Sequence, residues 1–254
     1  MIESKGANVK LASCVCDKKI KLKQIIVGFP GHGLVGSIAS KYIARALDLQ
    51  VVGYVRSPLI PPLAVFLDGI LAYPYRIYGD PSGKKDIVVL IGESPAPPQA
   101  YFHLANAVLD WACSEEDPAS EVICLDGFPD PQEESSTYLV AEPDMKDKLK
   151  KLNLQRPQTG YIGGLSGAIL NESILRDING YALLVSTTSH FPDPIGASKL
   201  IEVINKIMDL KIDVKPLIQD GEKIKKTMAE LANKTRQFSD STAEITDSRG
   251  SLYL

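Results

Sequence analysis

Ile25-Ile26-Val27-Gly28-Phe29-Pro30-Gly31-His32-Gly33-Leu34-Val35-Gly36-Ser37-Ile38-Ala39 is the stretch whose reading decides the fold. Residues 25–29 form a short, unbroken apolar run. That pattern fits a strand covered on both faces, whereas a strand with one wet face alternates. Four glycines and a proline then force a sharp turn over residues 28–36. Ser37–Leu47 follows as a helix, with Ile38, Ile43, Ala46 and Leu47 near helical spacing. Strand, glycine-rich turn and helix make up the repeating unit of an α/β sheet.

The pattern of strands alternating with helices continues after this stretch to about residue 210. Val51–Val55, Ile87–Ile91, Glu121–Leu125 and Ala182–Ser186 read as strands, and Ile70–Tyr78 as one extended segment. Leu59–Leu63 is an irregular proline-rich loop, and Asp80-Pro-Ser-Gly83 a turn. Pro97 and Pro98 suit the first turn of a helix that runs to about Cys113. Met145–Leu152 and Ala197–Leu210 are further helices. Gly160-Tyr-Ile-Gly-Gly-Leu-Ser-Gly167 is a second glycine-rich turn from strand to helix. The expected fold is a three-layer α/β sandwich with a mostly parallel central sheet; this pattern leaves the strand order open. The expected organisation is an α/β core over 1–215, an amphipathic helix over 216–238 and a flexible tail over 239–254.

Composition narrows the classes of function. A net charge of −3 and a pI near 5.7 argue against nucleic acid, whose partners present a basic face. No apolar run reaches the ~18 residues that span a bilayer, and Met1–Lys5 carries no apolar signal core, so a cytoplasmic location is expected. Cys14, Cys16, Cys113 and Cys124 are expected as reduced thiols. Cys14 and Cys16 are too close for an easy disulfide, and no histidine lies nearby to complete a zinc site. No metal and no cofactor are expected.

The first turn has two readings. Its backbone N–H groups could hold an anion at a helix N-terminus, with Gly28, Pro30, Gly31, His32, Gly33 and Gly36 as the loop. Alternatively, those glycines serve tight packing. Gly31, Gly33 and Gly36 fit Gly-x-Gly-x-x-Gly, but Arg56 ends the second strand where a dinucleotide fold needs an acid. Other candidates for chemistry are scattered. His103 falls inside a helix, and His190 at a strand end. Ser166 misses the Gly-x-Ser-x-Gly elbow by one position. Glu93 and Ser94 could line a cleft, while Asp126 and Asp130, flanking Gly127-Phe128-Pro129, have a paired-carboxylate reading but fit solvated loop acids better. Nothing assembles a nucleophile, a base and an oxyanion site, so no catalytic residue is assigned.

The C-terminal region differs from the rest. Leu217, Gly221, Ile224, Met228, Leu231, Thr235 and Phe238 alternate by four and three residues. Such a helix lies on its own domain or packs against a second copy or a neighbouring subunit. Ser239–Ser251 is polar and has little to bury. Leu252-Tyr253-Leu254 closes the chain with an apolar residue, a tyrosine and a terminal carboxylate, a hook suited to a pocket on another protein.

Val27–Ala39 closely resembles the opening motif of the proteasome assembly chaperone family. The likeness continues, in order, through Val52-Gly-Tyr54, Pro61-Pro62, Pro74–Tyr78 and Gly163–Leu170. This resemblance implies a phosphorylase/hydrolase-like α/β core used as a protein-binding scaffold, and a homo-oligomer. Some members are similar in ending with a hydrophobic–tyrosine–any-residue tail, which Leu252, Tyr253 and Leu254 match. The implied function is proteasome assembly or proteasome binding. The implied partners are proteasome α-subunits or the core particle, with the tail docked in the α-ring. The alternative is a phosphorylase- or ligase-like enzyme with an anion or nucleotide at Gly28–Gly36, and a plain oligomeric structural protein is a third class.

Overall fold

The computed structural model describes residues 7–11, 23–114, 119–130, 136–187 and 191–223. In chain order the elements are β1 (Asn8–Leu11), β2 (Gln24–Gly28), α1 (Val35–Ala46), β3 (Gln50–Arg56), β4 (Val65–Leu67) and β5 (Ile70–Ala72). Then come β6 (Tyr75–Gly79), β7 (Ile87–Gly92), α2 (Pro98–Ser114), β8 (Glu121–Pro129) and β9 (Thr137–Ala141). The last are α3 (Pro143–Lys148), α4 (Gly164–Leu175), β10 (Asn179–Thr187) and α5 (Pro194–Met208). The chain divides into two compact units, Met1–Val214 and Lys215–Leu254. Within the second, residues 215–223 are helical. Ile224, Met228, Leu231, Thr235 and Phe238 of the heptad-like pattern lie outside the described residues.

Eight strands form one sheet in the order β1-β3-β6-β7-β2-β8-β10-β9. The centre, β7-β2-β8-β10, is parallel, and the pairs outside it are antiparallel. The parallel strands include four of the runs read as strands, whereas Val51–Val55, read in the same way, lies in β3 and pairs antiparallel on both sides. β7 is buried along its whole length, and Ile25, Ile26 and Val27 of β2 are fully buried. Alternate side chains serve opposite faces. Ile25 and Val27 join the core under α2 and α4, while α1 and α5 pack together on the other face. The result is the three-layer α/β arrangement.

The differences from the sequence reading concern edges and ends. Ile70–Tyr78 is two strands rather than one extended segment, broken at Tyr73-Pro74, because a proline has no N–H for a ladder. β5 instead pairs with β4 in a separate hairpin. Its turn, Asp68-Gly69, has φ of 50° and 78°, the conformation that two-residue hairpins favour. β8 runs on to Pro129, so Asp126 is a strand residue. α5 begins at Pro194, with the Asp193 carboxylate accepting the Gly196 N–H at 2.9 Å.

A buried ion cluster ties α1 to the sheet. Glu93, just past β7, pairs with Arg76 of β6 and Lys41 of α1. The Glu93 and Arg76 side chains are only 4% and 10% exposed, so solvent cannot replace a lost partner. Arg76 also lies over the Tyr78 ring, 5.3 Å from its centroid. Glu93→Ala is expected to cost about 3–5 kcal/mol by leaving the guanidinium buried without its carboxylate. Urea unfolding of the two proteins measures this difference.

Candidate functional site

The carboxyl ends of β2 and β8 lie side by side, and both glycine-rich turns converge there. Open α/β sheets place their crevices at such ends. A cleft of about 540 Å³ is lined there by Gly31, His32, Asp126, Phe128, Tyr161 and Ser166, among others. Sequence positions more than 130 residues apart thus meet at one place.

Each residue of the first turn has a definite position. Gly28 ends β2, and Gly36 lies in the first turn of α1; both are buried. A side chain on Gly28 would strike the Gly36 carbonyl, and one on Gly36 would strike the Leu125 carbonyl. These two glycines let α1 sit directly on β2 and β8. Pro30 is half-buried, and Gly31 and His32 are exposed along the cleft. Gly33 has φ 60°, and its carbonyl accepts the Asp193 N–H at 2.8 Å, which joins the turn to α5. Leu34 is also left-handed, at φ 51°, and this reversal starts α1 at Val35, two residues before the sequence reading.

The first turn of α1 faces protein rather than the cleft, since Val35, Gly36 and Ser37 are all buried. The charged group facing Gly31 is the carboxylate of Asp126. It accepts the Gly127 N–H at 2.8 Å and the Ser166 hydroxyl. Asp126 therefore corrects the expectation of a solvated loop acid. Desolvation pushes its pKa above the ordinary 3.8, against the two hydrogen bonds and the nearby His32. The folded state thus holds this proton more tightly than the unfolded chain, so its contribution to stability falls as pH rises above 3.8. Asp126→Asn, which keeps an acceptor for Gly127, is expected to raise Tm at pH 7. The gain should shrink towards pH 4, and thermal melts across that range measure it.

The remaining candidates do not join into catalytic machinery. Ser166 is buried in the first turn of α4, and the residues before Gly164 are a loop rather than the strand expected ahead of Gly160–Gly167, so Ser166 sits at no strand-to-helix apex. Glu93 is committed to its ion cluster, and the Ser94 carbonyl accepts the Tyr75 hydroxyl at 2.9 Å. His103 sits in α2 beside Phe102, with the rings 6.2 Å apart. The Cys124 thiol is fully buried, and burial pushes its pKa up, which keeps it protonated and inert. Cys113 is exposed, and both of these cysteines are free thiols. His190, Cys14, Cys16, Leu252, Tyr253 and Leu254 lie outside the described residues. Among the described residues no group of three His, Cys, Asp or Glu could hold a metal ion, and no helix is long and apolar enough to cross a membrane.

A wider groove was not read from the sequence. The cleft adjoins a cavity of about 880 Å³ between β9 and the segment before α4, and Phe128, Tyr161, Ile162 and Leu184 line both. Tyr161 is 98% exposed at their junction. The signal was an aromatic residue beside Gly160, Gly163 and Gly164, a turn read for its glycines alone.

The fold and cleft define an α/β scaffold whose glycine turns pack a helix onto the sheet. The sequence pattern of the PAC2 family matches residues 25–232, and the chain belongs to the PAC2 family. It is 30% identical over 208 residues to an uncharacterized protein of Methanocaldococcus jannaschii, a match spanning 82% of this chain and 84% of that one. It is also similar to PbaA of Pyrococcus furiosus, described as an archaeal homolog of proteasome-assembly chaperone. The identity there is 28% and the TM-score 0.77, with 97% of this chain and 100% of that chain covered. A Thermoplasma acidophilum protein of unknown function matches at 29% identity and TM-score 0.72, covering 90% and 92%.

Proposed function

We propose that this chain is a proteasome assembly chaperone, a cytoplasmic homo-oligomer that docks Leu252-Tyr253-Leu254 into the α-ring of the proteasome. One observation carries the reading: the likeness to PbaA runs through 97% of this chain, beyond the shared sheet. The tail adds independent support from the far end of the sequence. In this account the α/β body is a scaffold, and residues 216–238 and 239–254 are a helix and a leash. Leu252 and the Tyr253 ring bury apolar area, and the tyrosine hydroxyl meets a polar partner. The Leu254 carboxylate pairs with a lysine or arginine of the pocket. Partners are α-subunits or the core particle, through protein surfaces alone.

The scaffold reading draws support from the cleft. An anion or nucleotide at Gly28–Gly36 would meet the Asp126 carboxylate beside Gly31, an unfavourable neighbour for a phosphate. Mixing the purified protein with isolated α-subunits and weighing the products by native mass spectrometry tests the proposal. A complex of defined stoichiometry is expected. Unassociated α-subunits at every ratio would refute it.

A further inference from the structure

The cleft at the carboxyl ends of β2 and β8 holds a partly buried charge that the scaffold role does not use. Asp126 lines it, and among the described residues its carboxylate accepts the Gly127 N–H and the Ser166 hydroxyl. An ionised carboxylate has about four acceptor positions, so about two stay open. Gly31 leaves the carboxylate uncovered, because a side chain there would strike Asp126 Oδ1. No lysine or arginine stands among the described residues that line the cleft. The base that bears on Asp126 is His32, exposed along the rim. Burial raises the pKa of Asp126, the mark of a carboxylate without a matching cation.

The rest of the lining is largely apolar and aromatic. Phe29, Tyr101, Phe128 and Tyr161 contribute rings, and Ile162 and Leu184 aliphatic surface. Phe128 is held edge-on by Tyr138, with ring centroids 5.0 Å apart at 74°. A carboxylate among aromatic faces is the surrounding that suits a cation on an apolar body. At about 540 Å³ the cleft has the size of a small-molecule site.

The second glycine turn supplies a cover. Gly28 and Gly36 of the first turn are needed for close packing, but a Cβ at Gly160, Gly163 or Gly164 would meet nothing within 4 Å. These glycines leave the backbone free on both sides of Tyr161, which is almost wholly exposed where the cleft meets the larger cavity. Rotations at Gly160 and Gly163 would lay the Tyr161 ring over a bound molecule.

We propose that the cleft binds a small organic cation: a protonated amine carried on an aromatic or apolar body. The ammonium donates to the Asp126 carboxylate, the body lies against Tyr101 and Phe128, and Tyr161 closes over it. The charge is opposite to that of the anion which the glycine loop alone would suggest. The site lies in the α/β core and stands independently of whatever the tail binds.

Isothermal titration calorimetry of the full-length protein at pH 7 tests the proposal with probes that share one ring: tyramine, the neutral 4-ethylphenol and the anionic 3-(4-hydroxyphenyl)propionate. Tyramine should bind saturably, one per chain, and the other two at least about tenfold more weakly. Asp126→Asn should weaken tyramine at least about tenfold while raising Tm, so the loss is not one of folding. Tyr161→Ala should weaken it several-fold. Acetyl-Leu-Lys-Leu-amide presents the same charge on a peptide and should bind less well than tyramine. Three results would overturn the proposal: no saturable tyramine binding up to about 10 mM, equal binding of the anionic probe, or tyramine affinity unchanged in Asp126→Asn. Binding of the peptide without binding of tyramine would overturn the assignment to a small ligand.

Discussion

Gly36→Ala is expected to lower stability by about 3 kcal/mol or more, and Tm by about 10 °C in a chain of this size. The position is helical, where alanine on its own would be favoured over glycine by about 1 kcal/mol. The packing reverses that sign. An added Cβ overlaps the Leu125 carbonyl oxygen, a backbone atom fixed in the β2–β8 ladder that cannot swing aside. α1 would have to lift from the sheet and would carry Lys41 away from Glu93. Ile38→Ala, at a half-buried position two residues on, provides the contrast, because it removes volume without a backbone clash. Denaturant unfolding of both variants gives the comparison. Equal losses at the two positions would contradict the close-approach role of Gly36.

The same residue shows why so much of the fold was legible. Ile25–Ala39 contains a strand buried on both faces, a turn that needs glycine and a helix with an apolar stripe, so local pattern and tertiary role agree. Strands whose surroundings depend on distant segments were harder to read. β1, β4 and β9 are three to five residues long, and none lies in the parallel centre, so their apolar periodicity is weak. The β4–β5 hairpin did leave a mark in Asp68-Gly69, a strong turn signal between apolar runs. Reading Ile70–Tyr78 as a single segment hid it.

The candidate site was legible in its parts and not in its assembly. Both glycine turns stand out in the sequence, yet nothing local says that Gly31 and Ser166 line one cleft. Asp126 was misplaced because β8 outruns its apolar stretch. Glu121–Leu125 is buried, and the strand then continues through Asp126-Gly127-Phe128-Pro129, where hydropathy no longer reports pairing. Glu93 appeared as a cleft acid, although its partners, Arg76 and Lys41, come from strand β6 and helix α1.

The largest effect on function is expected at the end of the chain. A hook of three residues buries little and binds weakly by itself, but several hooks on one oligomer act at high effective concentration. In the proposed account residues 239–251 act as a tether, and 13 residues of flexible coil would span on the order of 20 Å, room for each hook to find its own pocket. Removing Leu252–Leu254 takes away every hook at once, so the loss should be at least about 100-fold in apparent affinity. Tyr253→Ala alone should fall in between, since the carboxylate and Leu252 remain. None of these changes should alter Tm, because the α/β core is built from residues 7–214.

The most direct test compares the full chain with the chain ending at Ser251 for binding to immobilised proteasome α-rings. Saturable binding by the full chain is predicted, with none detectable by the shortened one at the same concentrations. Equal binding by the two would contradict the docking account.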